Sequence, residues 1–384
     1  MTEEIYLDNA STTMVIPSVV EVMRDCMLND YGNPSSQHSL GEIAAKRLRV
    51  AREGMGNALF VNTSEIVFTS GGTEANNLAI FGGAYARKKK GMHCITSVIE
   101  HPSVFNAFKR LAKEGWDISY LPVSSDGFID LERLSRLLRK DTTLVSIMHV
   151  NNEIGSIQPV KEIGKMLNEL QNPPLFHVDA VQSFCRYPVN PKEWQAHMVS
   201  LSAHKIHASK GVGALFLKKG VRLNSLFSGG EQEAGIRAGT ENVPGIVGMV
   251  EAVRCLKPKS DWNELNCLRL KRMLFDGLTE AIPKIFLIGP KLEEGAYHIL
   301  SMSLPGVPAE AMQRGLSAWY GVHVGIGAAC SSKKKNASHV LDAIGLDPKL
   351  ARCAIRVSLS QFNTEEQITR SIIAIRECYK RLLR

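Results

Sequence analysis

The sequence predicts an α/β protein in which a large unit built on a mostly parallel sheet is joined to a smaller α+β unit. Three observations carry this expectation. The chain has 384 residues, two to three times the usual domain size. Its first two thirds alternate short apolar runs with amphipathic stretches, the pattern of successive βα units. Around 257–260 (KPKS) that texture gives way to a long helical pattern followed by isolated strands. The expected division is 15–257 for the large unit, and 1–14 with 258–384 for the smaller one.

Taken in order, 65–70 (EIVFTS) is apolar and β-branched, hence a strand, and 74–88 after it is helical. Strands are expected at 93–98, 143–150, 175–179, 197–202 and 212–217, with helices at 130–140 and 160–170 between them. The second unit reads as a helix at 262–281, a strand at 296–304 and a helix at 309–319. A strand at 353–359 and a closing helix at 364–383 complete it.

Composition excludes several classes. Hydrophobic residues are 44% and charged ones 22%, a globular balance that leaves no room for a disordered or fibrous chain. No apolar run approaches the ~18–20 residues that span a bilayer, and MTEEIYLDNASTT lacks a basic-then-apolar leader. A cytoplasmic protein without membrane association is expected. The net charge of +8 raises the question of nucleic acid. However, the runs Lys88–Lys90 and Lys333–Lys335 carry no interleaved aromatics, no nucleic-acid-binding signature exists, and the first run reads as a solvated helix end. The eight cysteines contain no CxxC and no zinc-ligand spacing, so neither a metal site nor a disulfide framework is expected.

The chemistry-bearing signals lie at strand ends. Ser70-Gly71-Gly72-Thr73-Glu74 joins a strand to a helix, where glycines admit a ligand closely and free amides favour a phosphate. It is not a Walker A loop. Gly325–Cys330 (GIGAAC) approaches GxGxxG but lacks the surrounding βαβ unit, which argues against a nicotinamide cofactor. Asp179 follows one apolar strand and Lys205, in Ser202-Ala203-His204-Lys205, follows the next. A lysine that can form a Schiff base, an acid for a pyridinium nitrogen and a phosphate cradle are the parts that pyridoxal phosphate requires. In 354–360, Arg356 alternates with Ile355, Val357 and Leu359. It should therefore point away from the packed face, where its planar fork suits a carboxylate or a surface salt bridge. Cys330 sits among small residues with three lysines following, a setting that favours a thiolate.

The segments LDNASTT, YGNPSSQH, TSGGTEANNLAI, IEHPSV, MHVNNEIG, HVDAVQS, SAHK, RAGTEN, GAACSS and AIRVSLSQFNT occur in order along the whole chain. Together they resemble the cysteine desulfurases, class V, fold-type-I pyridoxal phosphate enzymes, and within them the shorter nitrogen-fixation-type branch. The resemblance implies a fold-type-I transferase that converts L-cysteine to L-alanine, leaving a persulfide on Cys330 for iron–sulfur cluster assembly and other sulfur acceptors. Lys205 would anchor the cofactor, Asp179 would pair with its ring nitrogen, and His101 would stack on the ring and handle protons. Gln182 and Asn152 would contact the ring hydroxyl side, with Asn152 also near the substrate carboxylate. Gly72, Thr73, Ser202 and His204 would hold the phosphate, joined by Thr240 from the second subunit of a homodimer. Arg356 would clamp the substrate carboxylate.

Departures from the family pattern are Ala203 where glycine is usual, Ala208-Ser209 where Gly-Pro is common, and Gly325-Ile326 in place of a serine pair. The chain also ends at Arg384, without the longer tail of housekeeping members. A selenocysteine lyase and a class V aminotransferase are the alternative readings. The thiol of GAACSS has no task in an aminotransferase, and the intact Lys205, Asp179 and His101 argue against a non-enzymatic sulfur carrier.

Overall fold

The computed structural model describes residues 4–256, 260–282, 284–327 and 338–383. Among the described residues, twelve strands form two sheets. They are β1 (Ile5–Leu7), β2 (Ile66–Thr69), β3 (His93–Ser97), β4 (Asp117–Leu121), β5 (Thr142–Met148), β6 (Leu175–Asp179), β7 (Met198–Ser202) and β8 (Gly213–Leu217), followed by β9 (Phe286–Ile288), β10 (Ile299–Ser303), β11 (Val322–Ile326) and β12 (Ala354–Ser358).

The seven-stranded sheet has the order β2-β8-β7-β6-β5-β3-β4. Only β8 runs against its neighbours, so the sheet is mostly parallel, as expected. Its central strands are buried along their whole length, because helices cover both faces. Successive side chains go to opposite cores. Ile95, Val145, Phe176 and Val199 pack on one side with Leu48, Met55 and Met249. Cys94, Leu144, Leu175 and Met198 pack on the other with Leu78, Val104 and Phe108.

The five-stranded sheet has the order β1-β11-β12-β10-β9. It buries Leu300, Met302, Ile355 and Val357 against Leu270, Leu274, Met312, Leu316, Ile368 and Ile375 of its helices. β1 joins this sheet by pairing parallel to β11, which brings the N-terminal segment beside elements more than 300 residues away.

The helices Pro17–Asn29, Ser39–Leu59, Pro102–Lys113 and Val243–Leu256, and the strands β1, β4, β9 and β11, escape the sequence reading. β1 has three residues, and β4 is an edge strand with its first residue exposed; both carry too little periodicity to declare themselves. The helix expected at 74–88 is present but broken in type: Gly72–Asn77 is α-helical, Leu78–Gly82 forms a π-helical turn, and Gly83–Arg87 resumes the α-helix. Lys88–Lys90 lie exposed at its end, as expected. The seven described cysteines are free thiols. Among the described residues no helix is long and apolar enough to cross a membrane.

Candidate active site

The parallel strands deliver their C-terminal ends to one cleft, the usual ligand position of an open α/β sheet. The cleft measures about 1010 Å³ and is lined from both sheets. Gly72, Thr73, His101, Asn152, Asp179, Gln182, Ser202, His204, Lys205 and Arg356 all line it. Ten of the twelve expected site residues are therefore brought together. Thr240 is exposed and is not among the lining residues of its own chain. Cys330 lies outside the described residues.

Asp179 is the last residue of β6. Its Oδ1 accepts from the Val181 amide at 3.0 Å and its Oδ2 from Asn76 Nδ2 at 2.7 Å, so the carboxylate is aimed before anything binds. Lys205 closes a short 3-10 turn (Ala203–Lys205) after β7. Its Nζ donates to the carbonyls of Ala10 and Ser11, both at 2.6 Å. Gln182 Nε2 donates to the same Ala10 carbonyl at 2.9 Å, while Gln182 Oε1 is buried without a partner. The segment after β1 thus forms one wall of the cleft.

His101 precedes Pro102, which fits the first helical position because it needs no N–H there. The imidazole caps the helix Pro102–Lys113, with Nδ1 taking the Ser103 amide at 3.2 Å and lying 2.8 Å from Ser103 Oγ. Burial pushes its pKa below the ordinary histidine value, and the charges of Lys205 and His339 add to this while Asp179 opposes it. His204 is pushed down to about 4, by burial first and then by Lys205 and Lys210. Its Nδ1 lies 3.2 Å from Thr12 Oγ1.

Gly72 sits where the phosphate cradle is expected. A Cβ there would lie 2.8 Å from Val181 Cγ2 and 3.4 Å from Ser202 Cβ, so a side chain would close the floor between the helix start and β7. Gly71, at φ 151°, occupies the left-handed half of the map that favours glycine.

Arg356 corrects one expectation. β12 is buried on both faces, so the residue does not reach solvent by alternation. It reaches the cleft, only 5% exposed. Nη1 donates to the Asn152 carbonyl at 2.7 Å, and Nη2 reaches Asp8 Oδ1 and Ser11 Oγ, each at 2.7 Å. Its Nε is buried without an acceptor.

Sequence reading missed Asn76, Ser103, Glu100 and Asp8. Each sits inside a quoted segment, but its contact depends on tertiary structure. Glu100 is fully buried, accepting from Ser97 Oγ at 2.6 Å and the Met148 amide at 3.0 Å, and burial raises its pKa to about 8.

The family model described as class-V aminotransferase matches residues 5–370. The chain belongs to the class-V aminotransferase family. Within the family, a curated relative from Dictyoglomus turgidum named cysteine desulfurase IscS is 40% identical over 382 residues, covering 100% of this chain and 96% of its own. The putative cysteine desulfurase IscS 1 of Bacillus subtilis is 40% identical over 381 residues, covering 99% and 100%. A solved structure titled a NifS-like protein superposes with a TM-score of 0.93 at 37% identity, covering 99% of this chain and 100% of that one. Another, SspA in complex with cysteine, has a TM-score of 0.80 at 33% identity, covering 94% and 100%. The class-V fold accommodates the two departures beside Lys205: Ala203 and Ala208 place their methyls in the hydrophobic core.

Proposed function

We infer that this protein is a pyridoxal phosphate-dependent cysteine desulfurase, converting L-cysteine to L-alanine and handing on the sulfur. The observation that carries this reading is the convergence of Lys205, Asp179, His101 and Arg356 in one cleft, in a chain aligned end to end with relatives named cysteine desulfurase.

The residues present fit the cofactor. Lys205 offers a primary amine and Asp179 a carboxylate fixed by two donors. Gln182 Oε1 is an orphaned buried acceptor, and the Gly72 floor is open where a Cβ would fill it. Lys205 would hold the cofactor covalently, Asp179 its ring nitrogen, Gln182 and Asn152 its hydroxyl side, and Gly72, Thr73, Ser202 and His204 its phosphate. When bound, pyridoxal phosphate supplies an electron sink conjugated to the substrate Cα.

The chain's own groups do the rest. Arg356 orients the substrate carboxylate through the open Nε side of its fork. Lys205 supplies the amine that would hold the proton removed from the substrate Cα. His101, whose pKa burial lowers, lines the same cleft and moves a proton there. The Cys330 thiolate bonds to the substrate sulfur as the Cβ–S bond breaks. The electron pair of that bond stays on carbon, which takes up protons and leaves as alanine, while the sulfur remains on Cys330 as a persulfide.

The acceptor of that sulfur is an iron–sulfur scaffold or another sulfur-acceptor protein, and the enzyme works in the cytoplasm as a homodimer. Exposed Met27 and Leu28 on the helix Pro17–Asn29, Leu40 and Ile43 on the helix Ser39–Leu59, and Tyr31 in the connection between them support an interface between copies. The two sheets fit a large unit of 15–257 and a smaller one of 1–14 with 258–384.

Purified protein given L-cysteine and a reductant should form sulfide and alanine in equal amounts, and Cys330→Ala should form neither. Equal production by both proteins would remove Cys330 from the reaction. A yellow protein that makes neither product would turn the reading to selenocysteine or amino-group transfer.

A further inference from the structure

The hydrogen bonds around His101 form a chain whose proton directions are all determined. It starts at Asp179, both of whose oxygens serve as acceptors. An amide oxygen turned toward that carboxylate would set acceptor against acceptor, so the NH2 end of Asn76 must face it. The same Nδ2 lies 2.9 Å from Ser103 Oγ and gives its second proton there. Ser103 Oγ, having accepted from Asn76, has one proton of its own. It lies 2.8 Å from His101 Nδ1, the acceptor in reach. The backbone adds an independent constraint, because the Ser103 N–H is also directed at Nδ1, at 3.2 Å. With two donors pointing at it, Nδ1 carries no proton.

We propose that Asn76 and Ser103 are positioning residues that fix the tautomer of His101, holding Nδ1 as an acceptor and the proton on Nε2. The reaction this serves rests on the desulfurase reading; the proton's location does not. Nε2 has no hydrogen-bond partner among the described residues, and the ring lines the cleft, so Nε2 is the nitrogen available to bound substrate. Protonating Nδ1 would oppose an N–H to both Ser103 donors, which disfavours the imidazolium beyond the effect of burial. The charged or titratable groups facing the ring are Asp179 at the end of β6, His204 and Lys205 in the turn after β7, and His339 from the helix His339–Ala343. Asn76 is the joint of the assembly, since one amide nitrogen orders both the acid expected at the cofactor nitrogen and the serine that orders the histidine.

Nitrogen-15 NMR of histidine-labelled holoenzyme reads the tautomer, with His101→Asn assigning the resonance. The wild type should show a protonated Nε2 and a bare Nδ1 near neutral pH. Ser103→Ala should enrich the Nδ1–H and imidazolium forms about fivefold, the equivalent of one net hydrogen bond. The His101 titration should move upward accordingly. Ser103→Thr, which keeps the hydroxyl, should restore the wild-type pattern. Because Asn76→Ala also leaves Asp179 short of a donor and can fail to fold, the Ser103 pair carries the test. An Nδ1–H ring in the wild type, or a Ser103→Ala protein with unchanged tautomer and titration, overturns the proposal. Sulfide release measured on the same samples separates the two readings: the expected tautomer with no sulfide from cysteine overturns the desulfurase reading alone.

Discussion

Arg356 and Asp8 form an ion pair at 2.7 Å across the cleft wall, joining β12 to the residue that follows β1. The pair fixes one edge of the guanidinium and leaves Nε without an acceptor. A carboxylate that meets this open edge is read by a planar group already held in place. Arg356→Lys keeps the charge and loses the fork. Its KM for cysteine should rise about 10- to 100-fold, the value of a lost charge-assisted hydrogen bond, with kcat changed less. Steady-state kinetics test this, and an unchanged KM would show that Arg356 only holds Asp8.

Gly325 stands opposite Arg356 in the β11–β12 register. A Cβ there would lie 2.5 Å from Asp8 Oδ1 and 2.8 Å from Arg356 Nη2. The family's usual serine is thus replaced, in this chain, by the residue the ion pair requires. Gly325→Ala should displace the pair, raise KM in the same direction as Arg356→Lys, and cost about 1–3 kcal/mol of stability through overpacking. Urea unfolding and cysteine kinetics on the one variant check both effects.

The two anchors expected for the cofactor were legible because Asp179 ends one apolar strand and Lys205 follows the next, and open sheets place ligands at strand ends. Their partners were not legible. Asn76 reaches Asp179 across 103 residues and Arg356 reaches Asp8 across 348, separations that no local pattern encodes. The alternation around Arg356 marked it as different from its neighbours but misjudged its surroundings, since β12 has no solvent face. The helix Ser39–Leu59 carries Gly41, Gly54 and Gly56, whose weak helix propensity blurs its signal, and the helix Pro102–Lys113 opens on a proline with His101, an uncommon cap, before it.

Glu100 gives stability a pH dependence of its own. Burial raises its pKa from 4.5 to about 8, so between these values the folded protein holds a proton that the unfolded chain releases. The contribution of Glu100 to stability must fall as pH rises through this window, by at most about 1.4 kcal/mol per unit. Glu100→Gln keeps an oxygen for Ser97 and Met148 and removes the titration. Denaturation curves at several pH values should show the variant gaining on the wild type toward pH 8. Curves that stay parallel would mean that Glu100 is already ionised in the fold.

Thr240 tests whether each site needs two chains. It is exposed and is not among the residues that line the cleft of its own chain, whereas the resemblance assigns it to the phosphate of a neighbouring one. Lys205→Ala alone should be inactive, and Thr240→Ala should be weakened through cofactor loss. In a mixed dimer of the two, one site has lost its lysine and lacks the threonine as well. The other has Lys205 from one chain and Thr240 from its partner, both intact. Each heterodimer should therefore regain about half of the wild-type activity in its single complete site, which is about a quarter for an equimolar mixture after random subunit exchange. If Thr240 served its own chain, neither site of the mixed dimer would be complete, and activity would stay at the level of the separate variants.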